Sequence, residues 1–247
     1  MTTPHAASLD RDEVARFDAL AARWWDLDGP MKPLHKFNPA RVAIFRDAIC
    51  ARFGRDASSV RPLEGLRLLD VGCGAGVLAE PLARLGAEVT GIDPAPELIP
   101  VAAAHAADND LAIAYRAAAA EELLAEGARF DVVVASEVVE HVNDVPAFVA
   151  VLAGLVRPGG LALFSTLNRT PLAHALAIVA AEYVLRWLPR GTHSYEKFVT
   201  PDELSAAARA AGLEPTDLRG IKFNPLKNSW GPSDDTLVNY TLAAARS

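Results

Sequence analysis

Cysteine is scarce: Cys50 and Cys73 are the only two in 247 residues, and Cys73 sits inside a glycine turn where a disulfide is awkward. A disulfide scaffold is excluded and a reducing cytosol is expected. No run of about 18 uncharged apolar residues occurs, so no transmembrane helix is expected; the nearest approach, Pro171–Pro189, contains His174, Glu182 and Arg186. Met1–Asp10 is polar and lacks an apolar h-region, so no export signal is expected. Basic charge is also short: 24 Lys and Arg stand against 31 Asp and Glu, a net charge of −7. That balance argues against nucleic acid as a main partner, because phosphate recognition takes clustered Lys and Arg. It gives no broad attraction to anionic lipid either, though a local patch is not excluded. Internal repeats are absent, and no G-K-[ST] follows a glycine turn, which excludes a P-loop.

What is present suits a soluble globular protein, with 51% hydrophobic and 22% charged residues. Asp10–Arg23 is expected to be a helix, capped by Asp10 with Glu13 completing a capping box. Pro33–Pro39 is expected to be extended, and Asn38 to cap a second helix with Pro39 at its first position. From Leu66 short apolar runs alternate with helical stretches: Leu66–Val71, Glu88–Ile92, Leu111–Tyr115, Phe130–Ala135 and Leu161–Ser165. Two more strands are expected near Glu214–Gly220 and Thr236–Ala244, after a helix at Pro201–Ala211. The pattern predicts an α/β fold with a seven-stranded, mostly parallel sheet and helices on both faces. Pro81 and Pro100 fall inside the expected crossover helices Val77–Leu85 and Ala95–Ala107.

Leu68–Gly76 ends a strand and opens a helix, and its glycines let a ligand approach the backbone. A dinucleotide fingerprint reads G-x-G-x-x-G, but after Gly72 and Gly74 the third glycine arrives one place early, at Gly76. Asp70 just before the turn repels a pyrophosphate and suits a ligand carrying an ammonium and a sulfonium, as S-adenosylmethionine does. Asp93, about 20 residues on, stands where an acid binds ribose hydroxyls; capping the next helix is its other reading, and the two are compatible.

Phe130–Val142 brings Ser136, Glu137, Glu140 and His141 to the carboxyl edge of the sheet, where open α/β folds bind ligands. Two functional readings stand open. One is a hard divalent cation such as Mg²⁺ on the carboxylates; the other is general base catalysis by His141, tuned by a carboxylate such as Glu140. A solvated acidic turn is the plain alternative. Pro171–Leu188 reads as an apolar helix ending in Arg186, Trp187 and Arg190, suited to a membrane interface or to packing over a core or dimer face. The polar loop Gly191–Phe198 is expected to serve as a lid.

Together these residues resemble the class I methyltransferases, and more closely the ubiquinone-biosynthesis O-methyltransferases. The resemblance runs from about Asp12 to Tyr240. Its most specific strings are Arg23-Trp24-Trp25-Asp26, Ser165-Thr166-Leu167-Asn168-Arg169 and Leu188-Pro189-Arg190-Gly191-Thr192-His193, joined by Asn38-Pro39-Ala40-Arg41 and Val238-Asn239-Tyr240. It implies one Rossmann-like domain: a helical cap at 1–56, a cofactor-binding core at 57–167, a lid or membrane-facing insertion at 168–199, and a C-terminal helix and strands at 200–247. It implies methylation of catechol-type hydroxyls of polyprenyl phenol and demethylubiquinol. Arg41, Gly72, Asp93 and Ser136 would contact S-adenosylmethionine, beside Asp70 and Gly74 read from the turn. Mg²⁺ would sit at Glu137, Glu140 and His141. Residues 171–190 would touch phospholipid at the cytoplasmic face of the membrane, within a ubiquinone-biosynthesis complex. Another phenolic acceptor, or a non-catalytic protein binding S-adenosylmethionine or lipid, are the rival functions. Ser136 departs from the larger apolar residue frequent in relatives, the loop Asp56–Gly65 is long, and Trp230–Asp235 is irregular.

Overall fold

The computed structural model describes residues 15, 18, 20–176, 195–224, 226 and 228–247. Most of the helix expected at Asp10–Arg23 lies outside them; Ala15 and Asp18 are helical, and the segment ends in a 3₁₀ turn, Ala21–Arg23.

Helix α1 spans Lys32–Phe53, which corrects both the extended Pro33–Pro39 and the expected start at Pro39 behind an Asn38 cap. Pro33 occupies the first turn, where a missing N–H costs nothing, so the helix begins around that proline, at Lys32, rather than at Pro39. Pro39 is carried inside the helix, and the Asn38 side chain is engaged elsewhere. Gly54, at φ 63°, closes the helix in the left-handed conformation while Arg55 N–H reaches back to Cys50 O.

The parallel strands are β1 (Arg67–Val71), β2 (Glu88–Asp93), β3 (Ala114–Ala117), β4 (Phe130–Ser136) and β5 (Val156–Leu167). Between them run α2 (Ala79–Arg84), α3 (Leu98–Asp108), α4 (Ala120–Ala125) and α5 (Val145–Leu155). Pro81 and Pro100 each fall at the third residue of their helix, inside the first turn, which accommodates both without a broken bond. After the insertion come α6 (Pro201–Ala210), β6 (Leu213–Asn224), β7 (Ser229–Ser233) and β8 (Asn239–Arg246).

The sheet has eight strands in the order β3-β2-β1-β4-β5-β8-β6-β7, one more than expected. The extra strand is β7, which takes up the stretch from Trp230 that reads as irregular. It zips antiparallel onto β6 in register Phe223↔Trp230. Trp230 also meets Phe37 of α1 edge-on at 5.6 Å, so side-chain packing draws the segment into the sheet. Pro232 is tolerated because β7 is an edge.

Alternation along the central strands builds two cores. Val133, Ala135, Ala162 and Phe164 pack with Leu123 of α4, Phe148 and Leu152 of α5, and Leu204 of α6. Val132, Val134, Leu161 and Leu163 face the other way, against Phe45 and Ile49 of α1 and Leu82 of α2. Phe45 and Ile49 are fully buried, each contributing about 1.5–3 kcal/mol by leaving water. The strand order reverses between β1 and β4, and the crevice opens at their carboxyl ends.

Beyond β5, Asn168 does not cap the next helix. Its amide donates to Thr236 O, and Thr170 is the cap, its hydroxyl accepting from Ala173 N–H at 3.0 Å. The expected helix Pro171–Leu188 and lid Gly191–Phe198 fall largely outside the described residues. Among the described residues no helix is long and apolar enough to cross a membrane.

Candidate active site

The glycine turn follows directly from β1. Gly72 N–H and Cys73 N–H both donate to Ile92 O, at 2.8 and 3.0 Å, pinning the turn to the end of β2. Gly72 at φ 70° and Gly74 at φ 52° take the left-handed backbone that this path requires. Asp93 accepts from Gly74 N–H and Ala95 N–H, each at 2.9 Å, so it locks the turn and holds the start of the next connection at once. A carboxylate has about four acceptor sites, so those bonds leave room for ligand hydroxyls. Burial pushes the Asp93 carboxyl up to about 6, against the pull of its two backbone donors.

Asp70 is 1% exposed. Burial lifts its carboxyl to about 7, opposed by the nearby Arg41 guanidinium. Its Oδ2 has no hydrogen-bond partner among the described residues. A buried acid oxygen without a donor, beside a backbone cradle, fits a ligand carrying an ammonium group. The residues present therefore fit S-adenosylmethionine.

The N-terminal segment packs on the same turn. Trp25 donates its indole N–H to Ala75 O at 3.0 Å, and Asn38 donates its amide to Val77 O at 2.7 Å. The Asn38 oxygen accepts from Arg41 Nη2 at 2.8 Å, so Asn38 is a bridge rather than a helix cap. Arg41 is 2% exposed, and its Nη1 donates to Ser136 Oγ at 2.6 Å. Burial lowers its pKa while Glu137, Asp70 and Glu140 raise it, and the guanidinium stays charged.

Glu137 follows β4 at φ 56°, and its Oε1 accepts from Ser165 Oγ at 2.8 Å. Glu140 and His141 both lie in the 3₁₀ turn Val139–His141. Glu140 turns inward: it is 2% exposed and Oε2 accepts from Thr166 Oγ1 at 2.7 Å. Burial first, then the charge of Glu137, pushes its carboxyl up to about 7, with His141 pulling it down. The expected metal set is not assembled: among the described residues no three His, Cys, Asp or Glu side chains are grouped to hold a metal ion. The reason is local, since Glu137 is drawn toward Ser165 and Glu140 toward Thr166.

A family model for a methyltransferase domain matches residues 42–218. The ubiquinone biosynthesis O-methyltransferase of Methylobacterium nodulans is 56% identical over all of this chain and 99% of its own length. That of Rhizobium leguminosarum bv. trifolii is 55% identical over all of this chain and 98% of its own. The chain belongs to the ubiquinone biosynthesis O-methyltransferase family. Among solved structures, the magnesium protoporphyrin IX methyltransferase of Synechocystis with bound SAH superposes with a TM-score of 0.64 at 20% identity. That match covers 96% of this chain and 100% of the other. It shows the class I methyltransferase fold.

Sequence reasoning missed Asn38, Ser165 and Thr166 as members of this site. Ser165 and Thr166 stand in a string quoted for the resemblance, and Ser165 is the register partner of Ser136 across β4 and β5. That parallel register, had the strands been aligned, points to the pair.

Proposed function

We propose that this protein transfers a methyl group from S-adenosylmethionine to the catechol-type hydroxyl of polyprenyl phenol and of demethylubiquinol, at two O-methylation steps of ubiquinone biosynthesis. The observation that carries this is the meeting of two chemistries at one switch point. Asp70, with an oxygen that has no partner among the described residues, lies beneath a glycine cradle on β1, and Glu140 and His141 stand in the turn after β4.

S-adenosylmethionine supplies an already activated methyl group when bound. Asp70 receives the amino group, Gly72 and Gly74 present backbone, and Asp93 offers its remaining acceptor sites to the ribose. Holding two reactants in line supplies roughly 7–11 kcal/mol of the barrier. The phenolic proton, with a pKa near 10 in water, must leave as the new C–O bond forms. His141 takes it, with buried Glu140 beside it to stabilise the imidazolium.

Turnover of a short-chain demethylubiquinol, followed by mass spectrometry, tests the reading. Methylated product supports it; SAH binding by calorimetry without turnover of that acceptor or of a polyprenyl catechol overturns it. His141→Ala is expected to lower kcat by about 100-fold or more while SAH affinity stays within about threefold. A normal kcat in that variant removes His141 from the chemistry.

Peripheral contact with cytoplasmic-face phospholipid through 171–190, near the other enzymes of the pathway, belongs to the same reading. Its support is the resemblance, together with Leu172 and Leu176, which are 44% and 48% exposed where this segment begins. A Leu172→Glu/Leu176→Glu chain is expected to co-pellet with phosphatidylglycerol vesicles about tenfold less, by lost apolar burial alone. Unchanged pelleting sinks the lipid contact.

A further inference from the structure

Beneath the crevice four polar groups form a directed chain. Arg41 Nη1 donates to Ser136 Oγ at 2.6 Å, the Ser136 and Ser165 oxygens are 2.7 Å apart, and Ser165 Oγ donates to Glu137 Oε1 at 2.8 Å. A serine hydroxyl has one hydrogen. That of Ser165 goes to Glu137, so the hydrogen between the serines belongs to Ser136. The chain therefore runs from Arg41 through Ser136 and Ser165 to Glu137.

The sheet sets the spacing, since Ser136 and Ser165 are partners in the parallel register of β4 and β5. Ser165 is 1% exposed and grips Glu137 twice, because its carbonyl also accepts Glu137 N–H at 2.8 Å. Glu137 itself is held at φ 56°, a backbone that a non-glycine residue keeps only when its surroundings enforce it. Arg41 lies 4.0 Å from the Glu137 oxygen, beyond hydrogen-bond reach, so its direct donors reach Glu137 only through the serines. Hydrogen bonds in such a chain polarise one another. With a side chain 27% exposed, Glu137 meets the crevice, whereas Arg41 and Ser165 are buried.

We infer that Ser165 is a positioning residue for methyl transfer, fixing the Glu137 carboxylate where it accepts the second hydroxyl of a catechol-type acceptor and tying it to the Arg41 side of the site. This rests on the function proposed above. A catechol-type acceptor carries a hydroxyl adjacent to the one methylated, and an aligned carboxylate receives it as a charge-assisted bond. Ser165 touches no reactant in this scheme and acts through Glu137.

The test is a double-mutant cycle on the full chain, with short-chain demethylubiquinol as acceptor and SAH as binding probe. Ser165→Ala is expected to lower kcat/KM for the acceptor by about tenfold, with SAH affinity within about twofold. In a Glu137→Gln background the same change is expected to have less than about a twofold further effect, since its target is already altered. Ser165→Ala activity at the wild-type level overturns the inference. So does a loss of full size in the Glu137→Gln background, or a matching loss of SAH affinity. Wild-type turnover, measured first, reads the function separately: its absence overturns that reading and the inference with it, whereas active wild type with unaffected Ser165→Ala overturns the inference alone.

Discussion

An Arg41→Met chain is expected to lose about 3–5 kcal/mol of folding stability and all measurable turnover. Met keeps much of the apolar stem, so the change isolates the guanidinium. That group is 2% exposed, donates to Ser136 and Asn38, and faces the carboxylates of Asp70, Glu137 and Glu140. Its removal leaves buried acids without their cation, which costs more than the pair ever contributed. The pH dependence carries the signature. Burial already holds Asp70 at about 7, up from 3.8, with Arg41 restraining the rise. Without Arg41 that carboxyl moves further up. Well below about pH 7 the folded chain holds Asp70 neutral with or without Arg41, and the lost attraction matters little there. Above it the wild type carries a compensated charge and the variant either an uncompensated one or a retained proton. The stability gap, read by urea unfolding, is therefore expected to be wider at about pH 8 than at about pH 5.5. A gap independent of pH removes Asp70 from the account.

Arg41 also marks how far the sequence carries. It enters the site only through the resemblance, since nothing in its own neighbourhood betrays a buried charge. Its burial follows from α1 starting at Lys32 and lying across the face that holds Val132 and Leu161. The misplaced start at Asn38 came from a cap residue followed by proline, a sound local signal. It was overridden because Asn38 finds better partners in Val77 O and Arg41. The glycine turn and the capping role of Asp93 were legible because each is a local pattern written within a few residues. Asp93 shows the limit of such reading, for its two assigned roles share one side chain. The inward turn of Glu140 toward Thr166 was not legible, because it depends on two strands meeting in register. β7 was hidden for a similar reason: its pairing on β6 is supported by Trp230 meeting Phe37, which is distant in sequence, as well as Phe223.

Gly72→Ala is expected to weaken SAH binding by about tenfold or more and to lower kcat/KM by at least about 100-fold. Two costs combine. Gly72 sits at φ 70°, where an L-residue pays roughly 1–2 kcal/mol. A Cβ built there also falls 2.5 Å from Val138 Cγ2, so one of the two must move. Val138 immediately precedes the turn Val139–His141. Its displacement carries Glu140 and His141 with it, and the proton-accepting side of the crevice shifts when the co-substrate side is altered. Calorimetry with SAH and steady-state kinetics separate the two costs when Val138→Ala is added. The smaller side chain relieves the collision but not the backbone strain. The Gly72→Ala/Val138→Ala chain is therefore expected to regain most of its kcat while SAH binding stays about tenfold weak, since about 1.4 kcal/mol is tenfold. Equal recovery of both places the whole effect in the collision. Recovery of neither breaks the link drawn between the glycine turn and the Glu140–His141 turn, and leaves the two walls of the crevice to act independently.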